Sequence, residues 1–281
     1  MFKLNMYWLT ALVTLNLGLC FAHSPNSEKH SAFPENDLWA PISSPLTESD
    51  EWNNGYQEAS YHKVLDTFYQ LYAPRIEALG AVFIIERDWI DGSVNAFSWK
   101  GGKQFGIEIP GGMSRYELIN EEAFILVICH EMGHILGGAP HRKGTSFEGQ
   151  SDYYSTLKCM REILPLLPRP KLAVGEVCGE SFLGARAQIC ENSLKGTLSL
   201  TSLYARVEDS VVPRIETPDL KVVSRSSHKH PKAQCRFDTL LAGVLCSVSV
   251  DEDVSEDDLS MGSCVRPDYE REARPRCWFA P

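Results

Sequence analysis

The residues best suited to chemistry are two histidines four positions apart, His130 and His134, with Glu131 beside the first of them. On an α-helix, residues i and i+4 project from one face, which is the geometry that two nitrogen ligands of a tetrahedral zinc ion require. Glu131 could accept a proton from a water molecule that the metal acidifies. This spacing therefore predicts one Zn²⁺ per chain, bound by His130 and His134, with Glu131 as the catalytic base.

The chain before these residues predicts the helix that would carry them. Residues 123–129 are apolar almost all round, which is typical of a helix in the core. Asn120 is a suitable N-cap, and Gly137 is a suitable stop. An ordinary buried helix with two histidines is the alternative. Polar groups buried in such a helix need partners, and a metal ion would satisfy them.

A catalytic zinc needs a third protein ligand, and two candidates follow His134. The pattern H-E-x-x-H-x-x-G-x-x-H has Gly137 in place, but Pro140 occupies its last position and His141 comes one residue late. The other candidate is Glu148, at the start of a second predicted helix. Asp152, one turn further, could hold a ligand histidine in orientation. We therefore favour Glu148 as the third ligand, with Asp152 behind it.

The surrounding pattern predicts an α+β fold. Short segments typical of strands precede the histidines, and glycines separate them. The expected core is a small mixed sheet whose edge strand lies over a pair of zinc-binding helices. The strands are expected at 82–85, 94–99 and 104–109, and the helices at 57–79, 146–164 and 179–194.

The two ends of the chain differ in composition from its centre. Lys3, an apolar run and the small-x-small site at 20–22 are typical of a secretory signal peptide, although an uncleaved anchor is the alternative. The following Ser-, Pro- and Asn-rich residues are expected to be flexible. The predicted division is a signal peptide at 1–22, a flexible leader at 23–55, a metallopeptidase domain at 56–205, and a loop with a cysteine-containing extension at 206–281.

Cysteine content and charge restrict the compartment and the partners. Cys20 falls in the signal, and eight cysteines remain, an even number that predicts disulfides in an exported chain, periplasmic or extracellular. The sequence does not choose among the possible pairings. With 37 acidic and 27 basic residues, the chain is a poor partner for nucleic acid or anionic membrane surfaces. We expect no stable membrane insertion once the signal is removed.

The motif around the histidines resembles that of the gluzincin metallopeptidases, in which H-E-x-x-H is followed downstream by E-x-x-[SA]-D. The segment 148–152 has that second pattern. The strand Asn95-Ala96-Phe97 and the segment 126–134 are similar to the family of the CAAX prenyl endopeptidase and periplasmic quality-control metalloproteases. The resemblance covers about residues 57–165. It implies a zincin-like fold, a zinc-dependent endopeptidase, and an edge strand that binds the substrate backbone by strand addition.

The resemblance also implies a role for His230. The family has a His-Pro pair followed by an arginine, and His230-Pro231 with Arg236 would correspond. In a hydrolase this histidine could stabilise an oxyanion or gate the metal, which makes it a candidate catalytic residue. The alternative is that residues 226–230 form a solvated loop.

Together these features predict an exported zinc metalloendopeptidase that hydrolyses peptide bonds in exported or envelope proteins, with a protein or peptide as its partner. Two other functions stay open. One is a chaperone-like or proteolytically idle zinc protein. The other is a zinc hydrolase that acts on cell-wall peptide amides.

Overall fold

A computed structural model describes residues 29–42 and 52–281 of the 281-residue chain. The predicted signal peptide and residues 23–28 and 43–51 of the predicted leader lie outside the described residues. The elements in chain order are β1 (Lys29–Ser31), α1 (Glu58–Ala78), β2 (Val82–Asp88), β3 (Phe97–Gly101), β4 (Gln104–Pro110), α2 (Gly111–Arg115), α3 (Glu121–Leu136), β5 (His141–Arg142), β6 (Thr145–Ser146), α4 (Glu148–Tyr154), α5 (Met160–Ile163), α6 (Glu176–Gly179), α7 (Gly184–Val207) and α8 (Ala233–Leu245).

A four-stranded mixed sheet, in the order β1-β3-β4-β2, covers one side of the core. Strand β4 pairs in parallel with β2 and antiparallel with β3, so the predicted α+β class with a small mixed sheet is confirmed. Strand β3 is not the edge of this sheet, because β1 pairs with it antiparallel. The strand that we expected to receive a substrate backbone therefore has a neighbour from the chain itself.

Helix α3 forms as its sequence predicts and lies in the centre of the molecule. The side chain of Asn120 caps it by accepting a hydrogen bond from the Ala123 amide at 2.8 Å. Residues 122–135 are all buried. A helix that is apolar on every face must be covered on every face, and helices α4 and α7 together with the sheet provide that cover.

Helix α4 crosses α3 at very close range, and Gly133 permits this. A Cβ atom on Gly133 would lie 2.7 Å from the Cα atom of Ser151, closer than such atoms approach in proteins. Beyond α4 the chain continues through a π-helical segment, Ser155–Cys159, into α5. Because Gly133 has no side chain, Glu148 and Asp152 in the first turns of α4 can approach the face of α3 that carries the two histidines.

Part of the predicted leader differs from expectation, because residues 29–42 pack on the domain. Strand β1 joins the sheet, and Ala32 and Phe33 are completely buried in the main core. The completely buried apolar side chains of this segment, Ala32, Phe33 and Ala40, are too few to show a periodic pattern. The partners that order them, such as Asn95 and Tyr204, lie far along the chain.

The predicted extension also contributes to the core. Helix α8 lies within it and buries Phe237, Leu240, Leu241 and Val244, which recur at helical spacing. Near the C-terminus, Trp278 packs against the first turn of α4 and donates a hydrogen bond to Thr239 of α8 at 2.9 Å. The C-terminal segment therefore supports the helix that carries Glu148.

All eight cysteines outside the predicted signal lie in pairs at disulfide distance. The pairs are Cys129–Cys159, Cys178–Cys190, Cys235–Cys277 and Cys246–Cys264. The first joins α3 to the π-helical segment after α4, and the third joins α8 to the C-terminal segment. Such pairs fit an exported chain. Within the described ranges, 29–42 and 52–281, no helix is both long and apolar enough to cross a membrane.

Candidate metal centre

The two histidines of α3 are held so that their Nε2 atoms are free to bind a metal. His130 Nδ1 lies 2.8 Å from Asp152 Oδ1, and His134 Nδ1 lies 2.9 Å from the Ser146 carbonyl oxygen. A carbonyl or carboxylate oxygen can only accept, so each Nδ1 carries the proton. The Nε2 lone pairs are therefore available as ligands, as is usual where an outer partner fixes the tautomer.

Glu148 brings its carboxylate to these Nε2 atoms. Its Oε2 lies 3.4 Å from His130 Nε2, and its Oε1 lies 3.6 Å from His134 Nε2. Ligands about 2.0–2.2 Å from a tetrahedral zinc ion are separated from each other by about 3.3–3.6 Å. The two contacts of Glu148 thus have the length of ligand–ligand distances at a metal site, and the structure brings Glu148 next to both predicted histidine ligands.

The same atoms are buried without hydrogen bonds. His130 Nε2, His134 Nε2, Glu148 Oε2 and both Glu131 oxygens have no hydrogen-bond partner among the residues that the structure describes. Leaving buried polar atoms unpaired costs about 1–3 kcal/mol each, and more where they are charged. A cation between the imidazoles and the carboxylate would satisfy the nitrogens and Glu148 together. The residues therefore fit a metal ion.

Asp152 and Arg236 form a buried pair behind His130. Arg236 Nε and Nη2 each donate to Asp152 at 2.8 Å, one to each oxygen, and the guanidinium stacks 3.7 Å from the ring centroid of Tyr204. Burial alone would raise the pKa of Asp152, but Arg236 and His130 outweigh it and hold the pKa below its ordinary value. The carboxylate thus stays charged and keeps the His130 ring oriented.

Glu131 is fully buried on the same helix face. Burial is the largest influence on its carboxyl and raises its pKa, against the opposing effect of the two neighbouring histidines. A carboxylate with a raised pKa is a stronger proton acceptor. Its unpaired oxygens leave it free to take that role.

His230 lies on the loop before α8, next to the same carboxylate. Its Nε2 is 3.3 Å from Glu148 Oε2 and donates to the Ser31 carbonyl oxygen at 2.9 Å. Burial is the main cause that lowers its pKa, which favours the neutral ring. The alternative of a solvated loop does not describe this residue, whose side chain is 25% exposed.

His141 does not join the group. It lies in β5, and its Nε2 contacts the carbonyl and the carboxylate of Glu256, at 3.1 and 3.3 Å. The predicted choice of Glu148 over His141 thus agrees with the placement of the two side chains.

One further residue at the site was not predicted from the sequence. His30, in β1, has a ligand atom within 4.8 Å of those of both His134 and Glu148, and its ring stacks on that of His134 with the centroids 5.1 Å apart. It lies 100 positions before His130 in a polar segment without periodicity, so its spacing carries no signal. A second group of close ligand atoms, on Asp219, Cys235 and Cys277, contains a disulfide and is not a metal site.

Comparisons of the chain with protein-family models, curated proteins and solved structures found no match. The resemblance to gluzincins therefore stays a prediction from the sequence motifs.

Proposed function

We propose that the chain is a zinc-dependent endopeptidase of gluzincin type, exported, in which His130, His134 and Glu148 hold the metal. The observation that carries this proposal is the group of buried, unpaired Nε2 and carboxylate atoms, in which Glu148 lies at ligand–ligand distance from both histidines and Glu131 is unpaired on the same helix. A structural zinc site does not need a free carboxylate next to the metal, whereas a hydrolytic site does.

The metal, when bound, would polarise a peptide carbonyl and lower the pKa of a water molecule. In this proposal Glu131 takes a proton from the attacking water and later gives it to the leaving amine. His230 donates from Nε2 to the carbonyl oxygen on which negative charge develops, as it does here to a main-chain carbonyl. Asp152 and Arg236 act by positioning His130.

Backbone pairing supports a peptide as the substrate. Strand β3 contacts α3, the helix of the two histidines, and in this structure it pairs with an extended segment of the chain itself. Main-chain hydrogen bonds to an added strand bind a peptide irrespective of its sequence. The geometry thus favours an unfolded or extended polypeptide over a compact small molecule.

The test is metal-dependent cleavage of an unfolded protein. Zinc-loaded wild-type chain is incubated with reduced casein, and new N-termini are identified by mass spectrometry. Strand β1 pairs with β3 and places His30 close to the metal group, so the His30→Ala chain is assayed in parallel. We expect cleavage that is lost on removal of zinc by a chelator and restored by added Zn²⁺.

A panel of cell-wall peptides is assayed alongside casein. Release of cell-wall fragments without cleavage of casein would replace the endopeptidase proposal with the amide hydrolase. The absence of any new N-terminus with both chains, despite bound zinc, would favour the proteolytically idle protein.

A further inference from the structure

Strand β1 lies where the proposed function would place a substrate. It runs antiparallel to β3, in the register Lys29 to Trp99, His30 to Ser98 and Ser31 to Phe97. The pairing continues beyond the strand, since the Ala32 amide donates to the Ala96 carbonyl oxygen at 2.9 Å. An extended peptide adding to β3 would need these same backbone groups.

Side chains of the candidate site also bind the backbone of this segment. His230 Nε2 donates to the Ser31 carbonyl oxygen, and Arg236 Nη1 donates to the Ala32 carbonyl oxygen, each at 2.9 Å. Both contacts are to main-chain oxygens, which every peptide carries. His230, the residue proposed to donate to a substrate carbonyl, thus already donates to a carbonyl of the chain itself.

The side chain of His30 then reaches the metal group. A ring nitrogen lies within 4.8 Å of the ligand atoms of His134 and Glu148, so one ion could contact all three with small adjustments. A catalytic zinc has three protein ligands and an open position, whereas a closed site has four. A third imidazole would occupy the position that water and substrate require.

We propose that His30 is a fourth protein ligand of the metal and that residues 29–31 occupy the substrate's place, so that this structure is a latent form of the enzyme. The inference rests on the proposed function, since it assigns a regulation to the same site. The occupant of the substrate's place is therefore the segment 29–31 of this same chain. Strand β3 binds its backbone, and the metal group binds the imidazole of His30.

The burial pattern of this segment would allow residues 29–31 to detach from β3 while residues 32 and 33 stay packed in the core, where they anchor the segment. Ala32 and Phe33 are completely buried, and Phe33 packs on Tyr204. Lys29 is exposed, and His30 and Ser31 are only partly buried. Displacement or proteolytic loss of the residues up to Ser31 would open the metal without removing the buried anchor. Until then, the tethered strand competes with substrate at an effective concentration in the millimolar range.

The experiment measures access to the metal without relying on catalysis. Zinc is replaced by Co²⁺ in the full-length mature chain, and cobalt stoichiometry and the visible absorption spectrum are recorded. Acetohydroxamate, a small bidentate ligand, is then titrated into the wild type, His30→Ala and Lys29→Ala. Lys29 is the matched control, because it lies in the same strand and its ammonium pairs with Glu108 at 2.6 Å.

We expect one cobalt in each chain, and hydroxamate affinity at least tenfold higher in His30→Ala than in the wild type, with Lys29→Ala like the wild type. Equal affinity in all three chains would overturn the inference while leaving the proposed metal site in place. If none of the chains binds cobalt, both proposals fail.

A second measurement needs no variant. X-ray absorption at the zinc edge of the wild-type chain counts the imidazole ligands of the metal. Three imidazoles, from His30, His130 and His134, are expected. Two imidazoles would overturn the role of His30 even if His30→Ala does not fold, and would still agree with the proposed function.

Discussion

Replacing Glu131 by glutamine is expected to abolish hydrolysis while leaving the metal in place. General acid–base catalysis contributes about 10²–10⁴ to the rate, and an amide cannot accept the proton. The carboxylate makes no hydrogen bond among the described residues and is not a predicted metal ligand, so the fold loses little. Hydrolysis of casein is measured with His30→Ala and with the double variant that adds Glu131→Gln, together with zinc content.

The matched control is Glu121→Gln, a carboxylate in the first turn of the same helix that is partly exposed and pairs with Arg169. It should hydrolyse casein as fast as its parent. The proposed role of Glu131 is contradicted if Glu131→Gln keeps more than about a tenth of the parental rate, since that loss is too small for a proton-transfer group.

Replacing Arg236 by methionine is expected to produce the largest loss of stability. The guanidinium is the charged partner of Asp152, and both side chains are almost completely buried. Removing one member of a buried ion pair leaves the other uncompensated and costs about 3–5 kcal/mol. The free energy of unfolding is measured by denaturant titration. Zinc affinity should fall about 10–100-fold, because Asp152 orients His130.

Arg87→Met is the comparison for this variant, since Arg87 pairs with Asp66 at 2.5 Å and the two side chains are 24% and 58% exposed. Exposed pairs contribute about 0–1 kcal/mol, so this change should have little effect on either measurement. If the two arginine variants lose equal stability, the buried pair does not support the metal site in the way described.

The parts of the site that the sequence predicts are those that one helix encodes. His130, Glu131 and His134 take their mutual geometry from the helical period, and the apolar run before them places the helix in the core. Glu148 required one further argument, that the metal lacks a ligand. Its position depends on the close crossing at Gly133, which a local pattern does not reveal.

The remainder depends on contacts between distant segments. His30 and Arg236 meet the site from opposite ends of the chain, through pairing with β3 and through the burial of α8. Local periodicity describes single elements, so it did not connect a polar leader or a cysteine-containing extension to the helices in the core. The sequence predicts a small mixed sheet, but it does not predict that β1 forms one edge of that sheet.

The most direct test of the central claim is a calorimetric titration of the mature chain, stripped of metal, with Zn²⁺. The wild type and His141→Ala are compared with His134→Ala and Glu148→Ala. The account predicts one zinc per chain for the first two, and a loss of affinity of at least about 100-fold for the last two, because each removes a ligand of the metal. A wild-type chain that binds no zinc, or Glu148→Ala with wild-type affinity, would contradict it.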